Sequence, residues 1–106
     1  MTYDVRLTPE ALSDLERLFE FVLERELARG EEGDLTLAEE ALSAIKAGIQ
    51  LLARFPFTCR KAAQSPFLRE LVIPFGATGY VALFEVVDDK TVVIGAVRHQ
   101  REDDYH

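Results

Sequence analysis

Residues 80–97 read YVALFEVVDDKTVVIGAV and carry the clearest secondary-structure signal in the chain. Two β-prone and almost wholly apolar runs, 80–87 and 91–97, flank the polar turn Asp88-Asp89-Lys90, a pattern typical of a β-hairpin. Because nearly every side chain in both runs is apolar, we expect these strands to lie in a sheet that is covered on at least one face. A further run, 68–73, precedes a turn rich in Pro and Gly and predicts one more strand.

The N-terminal half predicts one strand and two helices. Residues 3–7 alternate apolar and polar side chains, as a half-buried strand does. Thr8 can cap a helix that runs to about Arg29. A second helix is expected from Thr36, which forms a capping box with Glu39, to the Phe-Pro break at 55–56. The apolar stripe predicted for the first helix consists of Leu12, Leu15, Phe19, Val22 and Leu23.

The order of these elements is β-α-α-β-β-β. Helices that precede most of the strands predict an α+β fold, in which a helical hairpin packs on one face of an antiparallel sheet. A chain of 106 residues has room for one compact domain, residues 1–106, and no second.

Composition limits the compartment and the partners. The net charge of −7 argues against strong non-specific binding to nucleic acid, so we expect no direct DNA binding by the chain alone. The single cysteine rules out an intrachain disulfide and fits a reducing cytoplasm, where we expect the protein to act. The N-terminus lacks the pattern of a signal peptide, and no apolar run approaches the roughly 20 residues that span a bilayer, so no membrane association is expected.

Motifs for metal or cofactor binding are not recognisable in the sequence. Two histidines and one cysteine do not form a zinc pattern, and no Gly-rich phosphate loop or Ser/His/Asp signature is found. We therefore expect no metal and no cofactor. Cys59 lacks an evident partner base. His99 has two interpretations, a general acid or a histidine that packs at the end of a strand.

Charge is unevenly distributed along the chain. Residues 1–55 carry six Lys/Arg and twelve Asp/Glu, whereas residues 56–106 carry six and seven. The basic residues of the second half either form one face that binds a target or are scattered, solvated charges. They are Arg60, Lys61, Arg69, Arg98 and Arg101.

The succession of several short segments over nearly the whole chain resembles the RelE/ParE toxin superfamily, and in particular its ParE (plasmid-stabilisation) branch. Each segment is weak alone, but their common order is fairly specific. The Phe55-Pro56 break, Leu68-Arg69 and the run 98–101 are closer to ParE than to RelE. The segments are Thr8-Pro9-Glu10-Ala11, Leu51-Leu52-Ala53-Arg54-Phe55-Pro56, Leu68-Arg69-Glu70-Leu71, Gly79-Tyr80 and Val97-Arg98-His99-Gln100-Arg101-Glu102.

This resemblance implies the toxin half of a bacterial type II toxin–antitoxin pair. A ParE-like toxin is expected to inhibit DNA gyrase by binding rather than by catalysis, and to be neutralised by a ParD-like antitoxin. The first helix carries more apolar side chains than one face can bury, which predicts an exposed groove. The resemblance implies that such a groove receives the antitoxin. The groove residues are Phe19, Phe21, Leu23 and Leu27.

Two alternatives have other functional consequences. A RelE-like, ribosome-dependent mRNA endoribonuclease would use Arg69, His99, Arg101 and Tyr105 as catalytic residues. The nuclease pattern matches poorly, because Val81 stands where the nucleases usually have Arg and Gln100 stands where an Arg is expected after His99. The other alternative is a chain that has lost toxicity and acts as a binding or autoregulatory partner.

Overall fold

The computed structural model describes residues 2–62 and 67–100, which form one five-stranded sheet with two helices on one of its faces. The elements are β1 (Asp4–Leu7), α1 (Pro9–Ala28), α2 (Thr36–Leu51), β2 (Arg60–Lys61), β3 (Leu68–Phe75), β4 (Thr78–Val86) and β5 (Thr91–His99). Single turns of 3-10 helix lie at Gly30–Glu32 and Pro56–Thr58. The predicted α+β fold with a helical hairpin on the sheet is confirmed.

The sheet has the strand order β1-β5-β4-β3-β2 and differs from the prediction in two details. First, β1 runs parallel to β5, while the other three pairs are antiparallel. Second, β2 forms between the Phe-Pro break at 55–56 and the run 68–73, where no strand is predicted. A two-residue strand has no alternation to detect, and its pairing depends on backbone contact with β3, such as the 2.7 Å hydrogen bond from Ala62 N–H to the Leu68 carbonyl.

The core lies between the helices and the facing side of the sheet. Cross-strand pairs such as Ile73 with Tyr80 and Phe84 with Ile94 place their side chains on this side, because alternate strand residues share a face. The helices contribute Ala11, Leu15, Leu18, Ala41, Ile45 and Ile49 to the same core.

The buried face of α1 is rotated relative to the predicted stripe. Its buried positions are 11, 15, 18, 22 and 26, and Leu12 is 52% exposed. The small side chain of Ala11 is fully buried in the core between the helices and the sheet. The prediction gave weight to large apolar residues and therefore missed this position.

The sequence predicts the N-terminal cap of α1 correctly but not that of α2. The Thr8 hydroxyl oxygen accepts a hydrogen bond from Ala11 N–H at 3.1 Å, which confirms the cap of α1. The predicted capping box at Thr36 and Glu39 is wrong, because Thr36 is already the first residue of α2. Asp34 acts instead, since its carboxylate accepts hydrogen bonds from both the backbone N–H and the hydroxyl of Thr36.

A bulge in β5 ties α1 to the sheet. The β4–β5 register shifts so that Leu83 pairs with Ala96 and Phe84 with Ile94, which leaves Gly95 opposite no residue. Next to this bulge, Val97 N–H donates to the Asp14 carboxylate at 3.0 Å. A side chain of α1 thereby satisfies a backbone donor of β5, which fixes the helix relative to the strands.

Glu26 organises the connection between the two helices. Its side chain is 1% exposed and forms ion pairs with Arg25 at 3.0 Å and Arg29 at 3.1 Å. It also accepts a hydrogen bond from Asp34 N–H at 3.0 Å, beyond the connecting turn.

Neither helix in the described part of the chain combines the length and apolarity that crossing a bilayer requires.

Candidate functional site

A cleft of about 600 Å³ lies between α1 and the tip of the β3–β4 hairpin. Phe21 and Arg25 line it from α1, and the hairpin tip at 75–78 lines it from the sheet. Gly76 adopts a left-handed φ of 61° at this tip, which permits the two-residue turn between the paired residues Phe75 and Thr78. The lining is mainly apolar with a few polar groups, a composition typical of binding sites.

His99 lies at the end of β5 and lines the same cleft. Its Nε2 is 2.9 Å from the Thr78 hydroxyl oxygen, and its ring packs edge-on against Tyr80 with 5.5 Å between centroids. These contacts are those of a histidine that packs at a strand end. A catalytic role for His99 stays a prediction.

The four apolar residues predicted to receive an antitoxin differ in exposure. Phe21 is 60% exposed and Leu27 is 57% exposed, whereas Phe19 and Leu23 are half-buried. Of the four, only Phe21 is among the cleft residues. Surface apolar area is therefore present on α1, and it extends into the cleft at Phe21.

Arg69 is held against the segment that precedes β2. Its guanidinium donates to the Cys59 carbonyl at 2.8 Å and lies 4.9 Å from the centre of the Phe57 ring. Its Nε is buried and finds no hydrogen-bond partner among the described residues. Burial raises the pKa of the Cys59 thiol, and the Arg69 charge opposes part of that rise. Arg69 is thus a half-buried residue that orders the 57–59 segment.

The remaining predicted cations occupy two regions. Arg60 forms a cross-strand ion pair with Glu70 at 3.3 Å, and Lys61 lies exposed opposite Arg69. The side chain of Arg98 lies on the opposite face of the sheet from that of its neighbour His99, because successive side chains of a strand point to alternate faces. Lys61 and Arg69 pair across β2 and β3 and share one face of the sheet, whereas Arg60, which pairs with Glu70, lies on the opposite face, as Arg98 does. Arg101 and Tyr105 lie outside the described residues.

The two described nuclease candidates are far apart along the sheet. His99 pairs with Tyr80 of β4, whereas Arg69 pairs with Phe84 of the same strand. Four residues of strand separate these positions, a distance of roughly 13 Å along the backbone. Val81, where the nuclease pattern expects Arg, is buried. In the parts of the chain that the structure describes, no cluster of His, Cys, Asp and Glu is arranged to hold a metal ion.

Sequence reasoning missed several residues between 51 and 67 that expose apolar surface. Leu51, Phe55, Phe57 and Phe67 are each about half exposed. One signal was available in the sequence, since no acidic residue occurs between Glu40 and Glu70. Aromatic residues in an acid-free stretch of a strongly acidic chain are unusual enough to mark a surface.

Comparison with known proteins gives consistent results. Residues 5–104 match the family described as ParE toxin of type II toxin-antitoxin system, parDE. Toxin RelE3 of Caulobacter vibrioides is 34% identical over 98 residues, which cover 92% of this chain and 95% of that protein. The solved structure of a chromosomal ParDE TA system from P. aeruginosa matches with a TM-score of 0.70 and 17% identity, over 92% of this chain and 95% of that chain. At this identity the structural match shows a shared fold.

Proposed function

Because this chain belongs to the ParE toxin family of type II toxin–antitoxin systems, we propose that it inhibits DNA gyrase by binding and is neutralised by a ParD-like antitoxin. An inhibitor of this kind needs two binding surfaces, one for its target and one for the antitoxin. One surface is the cleft and the adjoining face of α1. The other is the region around Arg60, Lys61 and Arg69.

The separation of Arg69 and His99 is the observation that supports inhibition over cleavage. A ribonuclease of the RelE type gathers cationic and proton-transferring groups around one scissile phosphate, where they stabilise the developing charge. Here the Arg69 guanidinium donates to the Cys59 carbonyl, and His99 contacts Thr78 at the other end of the strands. The arrangement of these described residues favours a surface that binds a protein.

The apolar face of α1 supports the assignment of an antitoxin partner. Phe21 projects more than half of its surface to solvent beside a mainly apolar cleft. Exposed apolar area of this kind marks sites that receive a partner chain. An antitoxin segment that folds on binding could place an apolar side chain in the cleft, next to Phe21 and Arg25.

Induced expression of the chain without an antitoxin tests the proposed function. We expect growth arrest, loss of supercoiling by purified gyrase in the presence of the chain, and intact cellular mRNA. Cleaved mRNA together with unaffected supercoiling would favour the RelE-like alternative. In that case His99→Ala should reduce cleavage by about 100-fold or more, as loss of a general acid does. Normal growth at verified expression would favour the non-toxic alternative.

Phe21→Ser should weaken neutralisation while leaving toxicity intact. Loss of a large apolar side chain from the centre of an interface typically costs about 2 kcal/mol, so we expect roughly 30-fold weaker binding of the ParD-like antitoxin. Titration calorimetry with the purified pair measures this change. Leu12→Ser is the control, because Leu12 is 52% exposed on the same helix but lies outside the cleft. Equal losses in both variants would argue against docking in the cleft.

A further inference from the structure

Positive charge is concentrated in one continuous stretch of this acidic chain. Residues 41–69 contain five Lys/Arg and no Asp or Glu, whereas the remaining residues contain seven Lys/Arg and nineteen Asp/Glu. The stretch therefore carries +5 and the remainder −12. Its elements α2, β2 and the start of β3 are neighbours at one edge of the sheet, since α2 packs on β3 and β2 pairs with β3.

Exposed cations and half-exposed aromatic rings occur together at this edge. We use the name basic edge for the surface formed by Arg54, Phe55, Phe57 and Lys61. Phe55 is 55% exposed and Phe57 is 49% exposed. Arg54 and Lys61 are exposed and form no ion pair with any residue that the structure describes. Their charge is thus available to a partner.

The Phe57 ring is held in place before any partner binds. Arg69 covers it at 4.9 Å and is itself fixed by the Cys59 carbonyl. Tyr3 contacts the ring edge-on, with 6.5 Å between centroids. An apolar side chain that is already ordered loses little conformational entropy on association, which is a property of residues that anchor interfaces.

We propose that the basic edge docks a protein segment that alternates acidic and apolar side chains. This inference rests on the proposed function, because it assigns the segment to the protein that the toxin inhibits. Carboxylates of the segment would pair with Arg54 and Lys61, while its apolar side chains would cover Phe55 and Phe57. Charge complementarity of this kind increases association rates and fixes the register of a bound segment.

Two other occupants fit the charges less well. A nucleic acid strand carries a negative charge at every nucleotide, and the rest of the chain, whose formal net charge is −12, would repel it. A second copy of the chain would offer the acidic α1 to the basic edge. That contact is heterologous, so it would join copies head to tail into a ring or a filament, which a measurement of the assembly state would reveal.

The basic edge is also distant from the cleft. Arg69, which supports the edge, and Phe75, which lines the cleft, are six residues apart on β3, or roughly 20 Å. A segment docked at the edge would therefore leave the cleft open to the antitoxin. Variants at the two surfaces should affect different partners.

Fluorescence anisotropy with the full chain and a labelled peptide of repeating Asp-Phe-Glu-Leu tests the inference. We expect saturable binding that weakens about tenfold or more in Arg54→Glu/Lys61→Glu, and similarly in Phe55→Ser. The controls are Arg17→Glu, which reverses a half-exposed charge on α1, and Leu12→Ser. Both should bind the peptide as the parent chain does. Thermal unfolding of each variant checks that the fold is intact.

Several results would overturn the inference. They are absence of peptide binding, equal binding by the edge variants and the controls, tighter binding of oligo-uridine than of the peptide, or self-association that the edge variants abolish. Gyrase assays separate this inference from the proposed function. Peptide binding through the edge without gyrase inhibition would refute the proposed target alone. Gyrase inhibition that the edge variants retain would refute the docking surface alone.

Discussion

Gly79→Ala is expected to destabilise the protein by about 3 kcal/mol, at the upper end of what overpacking costs. Gly79 is buried at the start of β4 and pairs with Pro74. A Cβ at this position would overlap the Ile73 carbonyl oxygen and lie 3.1 Å from the Pro74 Cα. These are backbone atoms of the neighbouring strand, so relief requires the hairpin to open rather than a side chain to rotate.

Chemical denaturation measures this loss, and a thermal melt should show a fall in Tm of at least roughly 12 °C for a domain of this size. Gly95→Ala is the control, because nothing lies within 4 Å of a Cβ built on Gly95. Its free energy of unfolding should change by less than about 0.5 kcal/mol. If the two variants are equally stable, the close approach of β3 and β4 at Gly79 is not as described.

Glu26→Ala should cause a larger loss of stability than removal of any exposed glutamate of α1. The substitution leaves Asp34 N–H without its acceptor and separates Arg25 and Arg29 from their shared carboxylate. Because Asp34 also caps α2, the change should loosen the connection between the helices. Glu24→Ala is the control, because Glu24 lies two residues earlier in α1 and is exposed. Denaturant midpoints of the two variants at neutral pH provide the comparison.

The lowered pKa of Glu26 predicts that the protein loses stability in acid. The pKa of Glu26 lies below its usual value, first because Asp34 N–H donates to it and then because Arg25 and Arg29 are close, while burial acts in the opposite sense. A carboxylate with a lowered folded-state pKa stabilises the fold fully above its unfolded-state pKa. That contribution is lost as the pH falls through the folded-state pKa.

A pH series of denaturation curves checks the direction. Glu26→Gln should reduce the acid-side slope of stability without removing it. Asp88 supplies a second contribution of the same sign, because Lys90 N–H donates to its carboxylate and lowers its pKa. An unchanged slope in Glu26→Gln would show that Glu26 has the same pKa in the folded and unfolded chain.

The placement of the two candidate surfaces has a consequence for inhibition and neutralisation. The cleft lies at the Phe75 end of β3, and the basic edge lies at its Arg69 end. An antitoxin bound only in the cleft would not cover the edge. Neutralisation would then require either a segment long enough to reach the edge or a ternary complex, and the Phe21 and Phe55 variants distinguish the two partners.

The sequence alone was sufficient for the features that depend on neighbouring residues. The hairpin over 80–97 follows from two apolar β-prone runs around a polar turn, and the start of α1 follows from Thr8 and Pro9. Their order in the chain was enough to predict the α+β class and the helical hairpin. These properties are local because hydrogen bonding within a turn and the periodicity of side chains involve residues close in sequence.

Contacts between distant residues decided the rest. The parallel pairing of β1 with β5, the short strand β2 and the bulge at Gly95 arise from backbone approach across the sheet. The buried face of α1 depends on its fit to β5, and Asp34 replaces the predicted cap because Thr36 is itself the first residue of α2.

The candidate site also combines features that the sequence predicts with features that only the tertiary structure determines. Residue types and charge predict Arg60, Lys61, Arg69 and Phe21 as binding residues, but only the tertiary structure separates Arg69 from His99 and places Phe57 beneath the guanidinium. The physical reason is that the amino-acid sequence specifies the chemistry of each side chain. Its neighbours in space depend on how strands and helices pack, and these elements come into contact only when the chain folds.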